Sequence, residues 1–133
     1  MKSIVRLVVI MLAMIPAISF AQTAKPASAP WIEMKAFHTL MAATFHPTED
    51  GNFAPLKEKA DSLLTAAKAW QASKIPADYK PTETKETLAK LVSQCTMIRD
   101  AVAAKAADVK LKVMIADAHE TFHKIVGECK KGE

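Results

Sequence analysis

The pentapeptide HETFH at residues 119–123 has the spacing that places two metal-binding histidines on one side of a helix. His119 and His123 are four residues apart, which is close to one helical turn, so their imidazoles can chelate one ion. In metalloproteases with the H-E-x-x-H pattern, the glutamate, here Glu120, activates a metal-bound water. The pattern therefore predicts metal binding and raises the question of whether the chain is a protease.

The residues around the motif argue against a protease. The longer form of the motif would need glycine at position 126 and histidine at position 129, where this chain has Val126 and Cys129. The sequence also lacks the alternating pattern of strands that could line a cleft for an extended peptide. We therefore expect no enzyme activity. His119 and His123 are either metal ligands or solvated histidines near a helix C-terminus, where the helix dipole favours their charged form.

The N-terminus has the features of a secretory signal peptide. Lys2 and Arg6 flank the start of an apolar stretch that is too short to span a membrane, and a small-x-small cleavage site ends the predicted signal of residues 1–21. Residues 22–30 form a polar tether rich in proline and alanine, and residues 31–130 form the domain. We expect a periplasmic protein with no membrane segment once the signal is removed.

The charge of the chain gives no support for nucleic-acid binding. Loss of Lys2 and Arg6 with the signal lowers the formal net charge from +4 to +2. The remaining lysines alternate with acidic residues and form no basic block with interleaved aromatic residues. We therefore expect no nucleic-acid partner.

Four amphipathic segments with short connections predict an all-α, antiparallel up-down-up-down four-helix bundle. The second helix is predicted to begin at Asn52, the third near Thr82 and the fourth at Asp108, which are suitable N-terminal residues. Apolar residues recur at intervals of three and four along all three helices, as a core face requires. The predicted faces are Phe53, Leu56, Ala60, Leu63, Ala67 and Trp70, then Leu88, Leu91, Cys95, Ile98 and Val102, then Leu111, Ile115, Ala118, Phe122 and Ile125.

The first helix is predicted to run from Trp31 to His46, because Pro47 follows. Its predicted core face consists of Trp31, Met34, His38, Met41 and Phe45. A histidine on such a face must be hydrogen-bonded or bound to a metal, since burying an unpaired polar group is costly. Phe37 and Leu40 widen the apolar side of the helix, which leaves open a homodimer formed through it.

Pairing the predicted helix ends places residue 46 beside residue 108. Equal rise per residue in antiparallel helices then predicts that His38, Cys95 and His119 lie within about one turn of a common layer. Two imidazoles and a thiolate, with the Met41 thioether one turn away, are a ligand set suited to copper or zinc. We therefore expect a transition-metal site built from His38, His119 and His123, with Cys95 and Met41 as softer ligands.

The same register argues against a disulfide between the two cysteines. Cys95 and Cys129 are predicted to lie on the order of 18 Å apart along the bundle axis. A disulfide needs Cα atoms within about 7 Å, so only a tail folded back after Gly127 could bring the two together. Cys129 is then a free thiol, an intermolecular link or a further ligand near His123.

The whole domain also resembles the exported four-helix bundles of the cytochrome b562 and cytochrome c′ class. The resemblance is carried by Met34 in WIEMKAF, early in the first helix, and by Phe122 and His123 in AHETFHK, late in the fourth. It implies an electron carrier with non-covalent haem b, whose axial ligands would be Met34 and His123. Covalent haem is excluded because the chain has no C-x-x-C-H motif.

Three functions remain open at this stage. The first is metal handling or electron transfer with a bound copper or zinc ion, and the second is the haem-binding electron carrier. The third is a metal-free bundle that acts through interactions with other proteins, as a chaperone does. A di-iron centre is excluded, because such bundles use two Glu-x-x-His motifs and the chain has one, Glu120 to His123.

Overall fold

The computed structural model describes residues 29–132, which form four α-helices. They are α1 (Ile32–Glu49), α2 (Ala54–Ala72), α3 (Pro81–Ala103) and α4 (Asp108–Gly127). Each helix packs on the next, and α4 closes the bundle against α1 over a less extensive contact. The predicted all-α four-helix bundle is therefore confirmed. The predicted signal peptide and most of the predicted tether lie outside the described residues.

No helix within residues 29–132 has both the length and the apolar character needed to cross a membrane. The one β-bridge in that part of the chain is an antiparallel pairing between Tyr79 and Lys130. It belongs to a C-terminal segment that folds back on the α2–α3 connection, where the Lys80 amide donates to the Cys129 carbonyl at 2.8 Å. The end of the chain is thereby fixed against the bundle.

The predicted core faces of α2, α3 and α4 are confirmed. Every predicted residue on these faces is buried except Phe53 and Val102, which lie partly exposed near the helix ends. Trp70 of α2 and Phe122 of α4 meet in the interior at a ring-centroid distance of 5.9 Å. Large apolar side chains at helical spacing therefore specified three of the four helices correctly.

The predicted face of α1 is confirmed for Trp31 and Met41, which are buried, and wrong for His38, because the helix is rotated so that Phe37 faces the core. Its buried residues are Phe37, Met41, Thr44 and Thr48, whereas His38 is exposed. Phe37 packs against Trp70 and Phe122, so the larger apolar ring takes the interior position. The two threonines are buried at little cost, because their hydroxyls donate to carbonyls one turn earlier in the same helix.

Helix α1 also continues past Pro47, contrary to the prediction that Pro47 ends it. Proline inside a helix costs one backbone hydrogen bond, but here it occupies the last turn. The helix ends at Glu49, two residues before Gly51, whose φ of +82° is readily adopted only by glycine. The Gly51 amide donates to the Thr48 carbonyl at 3.1 Å and the Asn52 amide to the Pro47 carbonyl at 2.8 Å, which is a Schellman ending.

The longer α1 changes its alignment with α4. The ammonium of Lys112 reaches the Glu49 carbonyl at 3.5 Å, so the end of α1 lies beside the second turn of α4. The sequence-based alignment placed His46 beside residue 108, and the true pairing is shifted by about seven residues, or roughly 10 Å. This shift decides which histidines become neighbours.

Both cysteines are buried and free. The Cys129 thiol lies 3.8 Å from the Thr87 hydroxyl of α3, because the tail after Gly127 folds back. Cys95 is fully buried on the core face of α3. Phe37 is likewise enclosed within its own bundle and offers no surface to a second subunit.

We expect Phe37→Ala to lower the free energy of unfolding by about 3–5 kcal/mol, because it leaves a cavity beside Trp70 and Phe122. His38→Ala should cost less than about 1 kcal/mol, since His38 is exposed. Urea unfolding of the two variants measures both values. A larger loss for His38→Ala than for Phe37→Ala would contradict the observed rotation of α1.

Candidate metal centre

All four histidines of the chain lie along the junction of α1 and α4. His38 and His46 belong to α1, and His119 and His123 to α4; we call these four residues the histidine cluster. His119 is partly buried, and the other three are exposed. The cluster therefore lies at the surface of the bundle, and the prediction of core-facing histidines is wrong.

The centre of the cluster is the pair His119 and His123. Their Nε2 atoms are 3.1 Å apart and their ring planes are nearly perpendicular, at 84°. A hydrogen bond at this distance requires one ring to accept through a nitrogen lone pair, so the two rings cannot both be charged. Two nitrogens bound to one ion at about 2.0–2.1 Å are themselves about 2.9–3.4 Å apart. The pair is thus already at the spacing of two ligands of one metal ion.

Aromatic rings hold two of the imidazoles in place. Phe45 stacks on His119 with a centroid distance of 3.9 Å and an interplanar angle of 13°. Phe122 stacks on His38 at 5.0 Å and 15°, and its other contacts lie in the core. The orientation of these imidazoles is therefore coupled to the packing of the bundle.

His46 approaches the pair from the last turn of α1. Its ring centroid lies 6.3 Å from that of His119, and its Nδ1 is 3.4 Å from Glu49 Oε2. The predicted alignment put His46 near the start of α4, away from His119, so His46 was not among the predicted ligands. The signal that could have identified it is Gly51, which marks the true end of α1.

The pKa of His119 is lowered from its ordinary value. The largest cause is its partial burial, and the positive charges that His123, His46 and His38 would carry act in the same direction. The Glu49 carboxylate opposes the shift. His119 is therefore neutral at pH 7, and its nitrogen lone pair is free to bind a metal without first losing a proton.

The donors do not yet converge on one point. Within residues 29–132, no three histidine, cysteine, aspartate or glutamate side chains lie close enough together to hold one metal ion. His119 and His123 supply two donors, so a third must come from a side-chain rotation or from outside the chain.

The softer ligands predicted from the sequence do not join the cluster. Cys95 and Met41 are fully buried in the core, whereas His38 is exposed, so the predicted layer of His38, Cys95 and His119 does not form. Burial raises the pKa of the Cys95 thiol to about 12, which opposes formation of the thiolate that binds metals.

The two residues implied as haem ligands have different partners. The Met34 sulfur accepts a hydrogen bond from the Tyr79 hydroxyl at 3.7 Å, and His123 is paired with His119. Packed rings of Phe37, Trp70 and Phe122 occupy the interior beside α1 and α4. Each of the two residues therefore already has a side-chain partner of its own.

Glu120, the acidic residue of HETFH, points away from the cluster. It is exposed and lines a polar groove between α3 and α4 with Lys90, Gln94 and Lys124. It cannot act on a water bound to His119 and His123 from that side of α4.

Comparison of the chain with protein-family models, curated proteins and solved structures gives no match. Its function is therefore inferred from its own residues.

We expect the free energy of unfolding to fall as the pH drops from 7 to 5. The pKa of His119 is lower in the native state than its ordinary value of about 6.5, so the unfolded chain takes up the proton first. The stability that neutral His119 contributes is fully present above about pH 6.5, and it is lost as the pH falls from there through the lower native pKa. Urea titrations at several pH values should show a shallower pH dependence for His119→Asn than for the unchanged protein. Equal slopes would contradict the assigned shift.

Proposed function

We propose that this chain is an exported protein that binds a transition-metal ion through His119 and His123 and serves in metal handling or electron transfer. One observation carries the proposal: two imidazole nitrogens lie 3.1 Å apart on one helix, within a cluster that collects every histidine of the chain. Four histidines scattered over a surface without a shared role would have no reason to meet at one helix junction.

The available donors favour copper(II) or zinc. Imidazole nitrogens suit zinc, copper, iron and nickel, whereas calcium and magnesium are bound mainly through oxygen. Among divalent ions of the first transition row, copper(II) binds such nitrogen sites most tightly. With Cys95 and Met41 enclosed in the core, the cluster has no soft sulfur donor to favour copper(I).

The location of the cluster fits a protein that takes up and releases an ion. His123 and His38 are exposed, so an ion and its exchanging ligands can reach them without opening the core. Stacking on Phe45 holds His119 in one orientation, which lowers the entropy lost when an ion binds. His38 lies near the pair, stacked on Phe122, and is one candidate for an additional ligand; His46 is the other.

The arrangement supports binding and not hydrolysis. A metalloprotease needs an acidic residue beside its metal-bound water, and Glu120 faces the opposite side of α4. Export is proposed from the N-terminal sequence, which has a basic start, an apolar stretch and a small-residue cleavage site.

We expect the protein to bind about one equivalent of copper(II), with zinc competing for the same site. His119→Ala and His123→Ala should each weaken binding at least tenfold, because each removes one of two preset donors. Isothermal titration calorimetry with a competing chelator measures the affinities. Cys95→Ala is the control and should leave the affinity unchanged.

Two other results would contradict this proposal. If neither copper nor zinc binds and a chelator leaves the melting temperature unchanged, the metal-free, chaperone-like bundle is favoured. If haem titration gives a Soret band that is lost in both Met34→Leu and His123→Ala, the haem-binding electron carrier is favoured.

A further inference from the structure

We infer that His46 is the third ligand of this metal centre and that Glu49 orients it, so that the bound ion joins α1 to α4. The inference rests on the proposed function and adds to it the residues of α1 that complete the site. The bound ion is of the divalent transition-metal class that prefers several imidazole nitrogens.

The ending of α1 places His46 and Glu49 on one side of the helix. Because α1 continues through Pro47 to Glu49, the two residues are helical and three positions apart, which makes them neighbours on the helix surface. The Lys112 ammonium contacts the Glu49 carbonyl and holds this turn against α4. A helix that ended at His46 would leave Glu49 without a fixed position.

Glu49 sets which nitrogen of His46 is available. Its Oε2 lies 3.4 Å from His46 Nδ1, so the carboxylate can accept a hydrogen bond from Nδ1–H, and the neutral ring then carries its lone pair on Nε2. Metal-binding histidines generally donate their second ring nitrogen to a carboxylate or carbonyl in this way, which fixes the tautomer and the ring orientation. His46 is thus prepared to bind through Nε2.

The distance between His46 and His119 is within reach of a shared ion. A metal bound through nitrogen lies about 3.2 Å from the centre of the imidazole. Two rings on one ion therefore have centres about 4.5–5.2 Å apart at coordination angles of about 90–109°, and about 6.4 Å apart when they lie on opposite sides of the ion. The observed separation is 6.3 Å, and that between His119 and His123 is 4.4 Å. The side chains of His46 and Glu49 are 64% and 54% exposed, so the two have room to move together towards the pair. Such a movement would bring the His46 nitrogen close to those of His119 and His123, which the described positions of these side chains do not.

The charges around the site favour a cation over an anion. The Glu49 carboxylate adds a negative charge at its edge, which repels anions and balances a divalent ion. Three imidazoles and a nearby carboxylate are a donor set for copper(II), nickel(II) or zinc.

An ion held by both helices stabilises the part of the bundle with the least extensive packing. Among neighbouring helices, α1 and α4 make the fewest contacts. A ligand that binds only the folded protein raises the melting temperature, and an ion bound to α4 alone does so without joining the two helices. Metal binding should therefore protect the backbone amides of the last turn of α1 from hydrogen exchange, as well as those of α4.

The test is copper(II) binding to the full protein and to matched variants. We expect His46→Ala to weaken copper(II) binding at least tenfold and to move the visible d–d absorption band to longer wavelength, because one nitrogen is lost. Glu49→Ala should weaken binding about tenfold, and Glu49→Gln should restore part of the loss because its amide oxygen still accepts the Nδ1 proton. Glu120→Ala changes an exposed glutamate outside the cluster and should have no effect.

Pulsed electron paramagnetic resonance of the unchanged protein with copper(II) provides an independent count, and three coordinated imidazoles are expected. A count of two, or an unchanged affinity and spectrum in His46→Ala while His119→Ala loses binding, would overturn the inference and leave the proposed function standing. Absence of copper and zinc binding by the unchanged protein would overturn both.

Discussion

Burial of Phe37 against Trp70 and Phe122 determines which side of α1 faces α4. Successive residues of a helix are about 100° apart, so an inward Phe37 carries His38 and Phe45 to the flank that meets α4. Phe45 then stacks on His119, and His38 stacks on Phe122. Burial of Phe37 thus determines both stacking contacts between α1 and α4 at the histidine cluster. If His38 pointed inward instead, Phe37 would lose its place among the core rings.

The second constraint is the length of α1, which sets how far His46 reaches along α4. The left-handed backbone at Gly51 allows the two capping hydrogen bonds that end the helix after Glu49. This ending places the last turn of α1 beside Lys112 and brings His46 within 6.3 Å of His119. Rotation and length together are needed, because either one alone would leave α4 with an isolated histidine pair.

The sequence predicted the bundle and three of its core faces because α2, α3 and α4 carry unambiguous apolar patterns. Helix α1 was ambiguous, since both His38 and Phe37 fit a spacing of three and four. The correct face includes Thr44 and Thr48, which are polar and so are missed by a search for apolar residues. Burying them costs little free energy, because their hydroxyls donate to backbone carbonyls of the same helix. Pro47 was the expected helix end, because proline disrupts helices, but the helix ends where Gly51 adopts a left-handed conformation. The predicted alignment of α1 with α4 was therefore off by about seven residues, and it did not place His46 beside His119.

If an ion binds as proposed, the position of the cluster would allow a small bundle both to hold it and to exchange it. His119 is the least exposed of the four histidines, and its ring is fixed by Phe45, so it behaves as part of the folded structure. His46 and His123 are exposed and can move without disturbing the core. An ion bound as proposed would therefore meet one rigid donor, His119, and two adjustable ones. His119 and its neighbour His123 would supply most of the affinity, and release would begin at the exposed His46 side chain, which contacts Glu49.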